Sequence, residues 1–78
     1  RVTIGEGTVG AVIKIKASLS LIGKTVDEIS LHGEFEVVAI ERHDITMMPL
    51  KDTKIKDNDT IYFSVLEESL LKFKEILY

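Results

Sequence analysis

Two short stretches of the chain carry glycines at spacings that phosphate-binding loops use. Residues 18–25 read SLSLIGKT and end in the Gly-Lys-Thr that closes a nucleotide-binding P-loop. Residues 5–10 read GEGTVG, which is the G-x-G-x-x-G spacing of a dinucleotide-binding turn. In such loops the backbone amides surround the phosphates, because glycine leaves no side chain in the way. Nucleotide binding is therefore the first chemistry to test.

Neither stretch has the context that phosphate binding requires. A P-loop has another glycine five residues before the glycine of Gly-Lys-Thr, and Ser18 occupies that position. In a dinucleotide-binding turn the third glycine opens a helix, whereas Gly10 leads into the alternating residues of a strand. We therefore interpret residues 5–10 as a turn or strand edge and residues 18–25 as the approach to a helix.

The other reactive side chains form no recognisable catalytic or metal-binding set. His32 and His43 lie eleven residues apart, without the close spacing of metal ligands, and the chain has no cysteine. No serine lies in the setting of an activated nucleophile. We therefore predict no catalytic residues, no metal site and no enzyme activity.

Size and charge limit the remaining classes. The 78 residues show no break in composition, so they predict a single domain over residues 1–78. The 13 acidic and 10 basic residues are mixed along the chain without a basic block, which argues against a nucleic-acid partner. No apolar run reaches the roughly 18 residues that a membrane-spanning helix needs.

The first half of the chain predicts a strand and a short helix. Residues 9–17 alternate apolar residues with lysines, which is the pattern of a half-buried strand. Thr25 and Glu28 form the T-x-x-E pattern of a capping box, which predicts that a helix starts there. We expect this helix to close at His32 and Gly33, with the glycine in a left-handed conformation.

The second half predicts three strands and a helix. β-Branched and aromatic residues favour strands over residues 35–42, 45–50 and 60–66. A turn at His43 and Asp44 joins the first two, and the polar connection 51–59 turns at Asn58. Over residues 66–78 the period becomes helical, with an apolar stripe and an outward ion pair between Glu68 and Lys72.

These elements predict an α+β fold. It consists of a single mixed or antiparallel sheet of about four strands with two helices packed against it, in the order β-α-β-β-β-α. Residues 1–12 are expected to be an N-terminal lead-in or an edge strand.

Three segments in this order resemble a known family. Residues 13–29 (IKIKASLSLIGKTVDEI), 35–42 (FEVVAIER) and 49–65 (PLKDTKIKDNDTIYFSV) are similar to the strand, helix and strand motifs of the TrkA C-terminal domain, or RCK_C, family. Asn58 stands where the family usually has glycine, and a left-handed turn accepts that exchange.

The resemblance implies a regulatory role in potassium transport. Members of the family dimerise, lie in the cytoplasm, follow a nucleotide-binding Rossmann domain called RCK_N, and act on a membrane cation transporter or channel. This chain would thus be a ligand-binding and dimerisation domain of a potassium uptake or channel-gating system, peripheral to the inner face of the membrane through its transporter. The alternative is a docking subunit without a ligand, which joins RCK_N domains into a gating ring.

The resemblance also implies where a ligand would bind. It implies no required cofactor, but some members bind a nucleotide effector, cyclic di-AMP, at the dimer interface close to the first helix and second strand. The candidate anion partners in that region are His32, Arg42 and His43. Glu34 and Glu36 lie beside them and would repel phosphate, which argues against cyclic di-AMP here.

Overall fold

A computed structural model describes residues 2–4 and 8–78 of the chain. Its sheet is antiparallel throughout, with five strands in the order β1-β2-β5-β3-β4. The elements are β1 (Val2–Ile4), β2 (Thr8–Lys16), α1 (Val26–Ile29), β3 (Phe35–Arg42), β4 (Ile45–Met47), β5 (Thr60–Leu66) and α2 (Leu70–Leu77). The predicted fold class is confirmed, with β1 as an additional strand at one edge.

The glycine-rich stretch near the N-terminus is described only in part. Gly5 and Gly7 lie outside the described residues. Gly10 lies within β2, where it pairs with Leu66 of β5, so the third glycine of the G-x-G-x-x-G spacing belongs to a strand and opens no helix.

The central strand β5 explains why one face of the sheet is apolar. Ile61, Phe63 and Val65 alternate along it and are fully buried. They face α1 and α2, because their side chains join those of both helices in one core cluster. In β3 the register shifts between Val37 and Ala39, a β-bulge that leaves Val38 as an extra residue.

Three phenylalanines form the centre of this core. Phe73 of α2 lies edge to face against Phe63 and Phe35, with ring centroids 5.0 and 5.2 Å away. All three side chains are almost completely buried. Such aromatic pairs add stability beyond the burial of their area, so this cluster holds α2 on the sheet.

The capping box at the start of α1 is confirmed. Glu28 N donates to Thr25 Oγ1 at 3.2 Å, and Thr25 N donates to Glu28 Oε1 at 2.8 Å. The predicted end of the helix is wrong. The helix closes at Ser30, and Gly33 (φ +80°) lies instead in a turn where Glu34 N donates to Leu31 O. A glycine is favoured there because the turn requires a positive φ.

The hairpin between β3 and β4 is confirmed, but its second strand is shorter than predicted. His43 and Asp44 both have positive φ, as a two-residue type I′ turn requires. β4 ends at Met47 and does not reach Leu50, since Pro49 has no N–H to donate to a ladder. Asn58 has the left-handed φ of 68° that its position in the connection predicts.

The C-terminal helix begins later than its apolar stripe indicates. Leu66 is the last residue of β5, and a short 3₁₀ turn over Glu67–Ser69 precedes α2. The predicted pairing of Lys72 with Glu68 is wrong, because Lys72 Nζ lies 2.8 Å from Glu34 Oε1. Glu34 Oε1 also accepts a hydrogen bond from Ser69 Oγ at 3.1 Å, so the carboxylate connects α2 to the turn before β3.

Candidate functional site

A surface groove of about 620 Å³ lies between α1, the first half of β3 and the segment that follows β4. This site groove is lined by Val26, Asp27, Ser30, His32, Glu36, Val37, Pro49, Leu50 and Lys51. Its volume falls within the range of small-molecule sites, and its lining combines apolar with polar side chains. It is therefore the candidate ligand site among the described residues.

Backbone hydrogen bonds fix the two walls of the site groove. Val26 N donates to Thr53 O at 2.9 Å, and Asp27 N donates to Lys51 O at 3.0 Å. These bonds use amides at the start of α1 and attach the helix to the segment after β4. The walls are consequently held together by the main chain and do not depend on contacts between long side chains.

Ser30 lines the site groove and makes two hydrogen bonds within the domain. Its hydroxyl donates to Val26 O at 2.8 Å and lies 3.4 Å from Val37 N, which donates to it. The hydroxyl thus joins the end of α1 to β3. Because both of these bonds are made within the domain, Ser30 shapes the groove and orients the two elements around it.

His32 lines the site groove with a largely exposed side chain. Its side chain is 97 % exposed, and its Nδ1 lies 3.4 Å from Glu36 Oε1. The turn at Gly33 places the two residues side by side at the start of β3. The imidazole is therefore available to a ligand, with a carboxylate beside it.

The charges around the site groove are mostly acidic. Asp27 and Glu36 each contribute a carboxylate, while Lys51 contributes an ammonium group. The lining residues thus carry one net negative charge when His32 is neutral. Since like charges repel, this lining disfavours an anionic ligand.

Arg42, a second candidate from the sequence, is engaged within the domain. Its Nε and one terminal nitrogen donate to the two carboxylate oxygens of Asp59, at 2.8 and 2.7 Å. The same terminal nitrogen donates to Lys54 O at 3.0 Å. The hydrogen bonds to Asp59 raise the pKa of Arg42, so its guanidinium is a permanent cation already paired with an internal anion.

Asp59 is a buried residue that the sequence analysis placed only in a polar connection. Its side chain is completely buried, and Lys56 N donates to Oδ2 at 2.8 Å. The hydrogen bonds from Arg42 lower its pKa, while burial acts in the opposite direction. The sequence carries one signal for this pair. An aspartate stands directly before a strand of alternating apolar and polar residues, and an arginine ends a neighbouring strand.

His43, the third candidate, lies away from the site groove. It occupies the β3–β4 turn, at the end of β3 opposite to His32. The structure therefore separates the three predicted residues. His32 lines the groove, Arg42 is paired with Asp59, and His43 is exposed in a hairpin turn.

The Gly-Lys-Thr stretch forms no phosphate loop. Gly23 N donates to Ile55 O at 2.8 Å, and Lys24 N donates to Leu21 O at 3.0 Å. Thr25 caps α1. These amides are used by the domain itself, which confirms the interpretation of this stretch as the approach to a helix.

The part of the chain that the structure describes lacks two further features, a metal-binding cluster and a membrane-spanning helix. Residues 2–4 and 8–78 contain no group of three or more His, Asp or Glu side chains arranged to hold a metal ion. Across the same residues, no helix has the length and apolar character needed to cross a membrane.

The fold and groove define a small antiparallel α+β domain, and comparison with known proteins assigns its family. The sequence profile of the TrkA-C domain matches residues 11–78, and the chain belongs to this family. No curated protein matches the chain. A solved structure described as "GsuK channel bound to NAD" is similar with a TM-score of 0.71 and 22 % identity. The match covers 86 % of this chain and 13 % of the channel chain, so this domain spans a small part of that protein's length.

Proposed function

We propose that this TrkA-C domain is a cytoplasmic regulatory domain of a potassium, or other cation, uptake or channel-gating system. The observation that carries the proposal is the family match, which extends over residues 11–78. Similarity of the fold to part of a channel chain supports the same class of system. The domain then acts by binding, as a homodimer, and has no catalytic role.

The proposed partners are an RCK_N Rossmann domain and a membrane transporter or channel. A domain of this size supplies no pore of its own, and the similar fold occupies only 13 % of the channel chain. The remaining functions must then come from other domains or subunits. Through them, the domain lies at the inner face of the membrane.

The site groove is the proposed position of the effector. His32 is the side chain that we expect to contact it, because it lines the groove and is 97 % exposed. We propose a nucleotide as the effector class, in keeping with the NAD bound to the similar channel. The carboxylates of Asp27 and Glu36 repel phosphate, which disfavours cyclic di-AMP and imposes the same kind of electrostatic cost on any other nucleotide.

The acidic lining favours a second candidate function. A domain without an effector would join RCK_N domains into a gating ring by its surfaces alone. Asp27 and Glu36 outnumber the ammonium group of Lys51 among the lining residues, which is unusual for a site that binds phosphate. The two functions differ in whether any small ligand stabilises the domain.

A thermal-shift panel on the purified domain tests the proposal. The ligands are cyclic di-AMP, ATP, ADP, NAD and NADH, each with and without Mg²⁺. A specific ligand at one hundred times its dissociation constant adds about 2.7 kcal/mol of stability. For a domain of this size, that gain raises the melting temperature by roughly 10 °C or more.

Two histidine variants test whether a ligand that raises the melting temperature binds in the site groove. His32→Ala should reduce the shift, because it removes a side chain from the site groove. His43→Asn should leave the shift unchanged, because this exposed histidine lies outside the groove and asparagine accepts its positive φ. No shift with any ligand, from a protein that melts cooperatively, would favour the docking function.

A further inference from the structure

A second, smaller cavity lies where the C-terminal ends of both helices meet the turn that precedes α1. Its volume is about 240 Å³, and its lining residues differ from those of the site groove. We call this cavity the helix-end pocket. Four of its lining residues are aliphatic and three are polar, namely Leu21, Ile29, Ile76, Leu77 and Ser20, Lys24, Glu28.

The stretch 18–25, which ends in Gly-Lys-Thr, builds one wall of the helix-end pocket. Leu21 N and Ile22 N both donate to Ser18 O, at 3.0 and 3.1 Å, and close a turn. Gly23 ends this turn with a positive φ of 89°, which glycine adopts at little cost. Main-chain bonds therefore hold this wall beside α1.

The aliphatic lining offers an apolar surface that is partly open to solvent. Leu21, Ile29 and Leu77 belong to the core and are only 5 to 6 % exposed, whereas Ile76 is 59 % exposed. None of the seven lining residues is aromatic, so the pocket has no ring on which a nucleotide base could stack. This surface suits an alkyl chain.

The charged groups around the helix-end pocket favour an anion. Lys24 forms no salt bridge within the described part of the chain. Glu28 carries the opposite charge, but its Oε1 accepts hydrogen bonds from Thr25 N and Thr25 Oγ1, at 2.8 and 3.1 Å. These bonds lower the pKa of Glu28, and the positive charges of Lys24 and Lys54 lower it further. Two ammonium groups thus lie near one carboxylate that is already engaged in the helix cap.

The volume of the pocket limits the size of its ligand. A cavity of about 240 Å³ is smaller than the roughly 300 to 1,000 Å³ of sites for drug-sized molecules. We propose that the helix-end pocket binds a small aliphatic carboxylate, with its alkyl chain on Ile76 and the buried aliphatic residues and its carboxylate at Lys24. This site is additional to the proposed effector site in the groove.

The head group of the ligand is tested with three probes that share one alkyl chain. Hexanoate, hexan-1-ol and hexylammonium are titrated into the isotope-labelled domain, and NMR shifts of the lining amides give the dissociation constants. Hexanoate should bind with a dissociation constant of about 1 to 10 mM. It should bind about three- to fivefold more tightly than hexan-1-ol, because only the carboxylate pairs with an ammonium group. Hexylammonium should bind most weakly.

The length of the alkyl chain tests the aliphatic lining. Each methylene group that leaves water should raise the affinity by up to about fourfold. The affinity should therefore increase from butanoate to hexanoate, and it should gain little beyond the chain length at which the pocket is full.

Two lining variants separate the contributions of charge and apolar surface. Lys24→Gln should weaken hexanoate binding about three- to fivefold and leave hexan-1-ol binding unchanged. Ile76→Ala should weaken both ligands alike, because it removes aliphatic surface. Both positions are exposed, so neither exchange should prevent folding, and circular dichroism melts verify this.

A matched exchange controls for the loss of one positive charge. Lys14→Gln lies at an exposed position of β2. Its neighbours Ile13 and Ile15 pack against the core, so Lys14 lies on the side of the sheet away from the helices. This variant should bind hexanoate as the original protein does.

Several outcomes would overturn the inference. They are hexanoate shifts that do not saturate by about 50 mM or that lie outside the pocket, equal affinities for the three probes, and equal effects of Lys24→Gln and Lys14→Gln. The titrations use no nucleotide and monitor residues outside the site groove. Their failure would therefore reject the helix-end pocket as a binding site without deciding the proposed function.

Discussion

Among individual residues, Asp59 has the most demanding environment. Its carboxylate has no exposure to solvent, yet each oxygen accepts a hydrogen bond from Arg42 and one accepts a further bond from a backbone amide. A buried charge is tolerated only when it is paired and hydrogen-bonded. The pair therefore fixes the connection before β5 to the end of β3.

We predict that Asp59→Asn lowers the free energy of unfolding by about 3 kcal/mol. An amide presents N–H donors to the guanidinium, so the partly buried cation of Arg42 loses its partner. Urea denaturation measures the loss. Asp57→Asn, at an exposed position of the same connection, is the control and should change stability by less than about 0.5 kcal/mol.

The stability of Asp59→Asn should also depend on pH differently from that of the original protein. Because the pKa of Asp59 is lower in the folded protein than in the unfolded chain, its contribution is complete above about pH 4. The contribution is lost as the pH falls from there through the lower folded pKa. The variant should therefore lose less stability in acid than the original protein. Equal losses would show that the pKa of Asp59 is the same in the folded and unfolded states.

Among the elements, α2 depends on a single large anchor. The helix has eight residues, which is too short to be stable alone, so it must be held by tertiary contacts. Phe73 is completely buried against two other rings, whereas Leu71 on the same helix is 71 % exposed. The bond from Lys72 to Glu34 adds an exposed contact of small value.

We predict that Phe73→Ala destabilises the domain by about 3 to 5 kcal/mol, because it leaves a cavity at the centre of the core. Thermal unfolding followed by circular dichroism measures the loss. Leu71→Ala is the matched control and should change stability little. Similar losses for both variants would contradict the assignment of Phe73 as the anchor.

At the scale of the whole molecule, the core is thin, so association with a second chain would contribute substantially to stability. A chain of 78 residues has a total stability of about 4 to 12 kcal/mol, and one layer of helices covers one side of its sheet. A second copy of the chain, as in the proposed homodimer, would add an interface to this thin core. Any stability that it adds depends on protein concentration, because only the folded chain dimerises.

We predict that the melting temperature rises with protein concentration from about 1 µM to several hundred µM. The change follows from mass action on the proposed dimer. A melting temperature that does not change with concentration would count against dimerisation of this domain.

Local signals in the sequence determined most of the fold. The capping box of Thr25 and Glu28, the alternation in β5 and the positive φ of Asn58 each depend on neighbours within a few residues. Interactions of this range can be read from the chain itself. The ends of α1 and β4 were placed too late, since Gly33 belongs to a separate turn and Pro49 follows the strand.

Contacts between distant residues were decided only by the tertiary structure. Arg42 and Asp59 lie 17 positions apart, and Glu34 and Lys72 lie 38 positions apart. The sequence predicted that Lys72 pairs with Glu68 and that Arg42 contacts an anionic ligand. Only the folding of β3, β5 and α2 determines which group each of these side chains reaches. The sequence by itself thus determined the elements, their order and the family. The tertiary structure decided that His32 lines the site groove while Arg42 does not, because strand register and helix packing set the distances between groups.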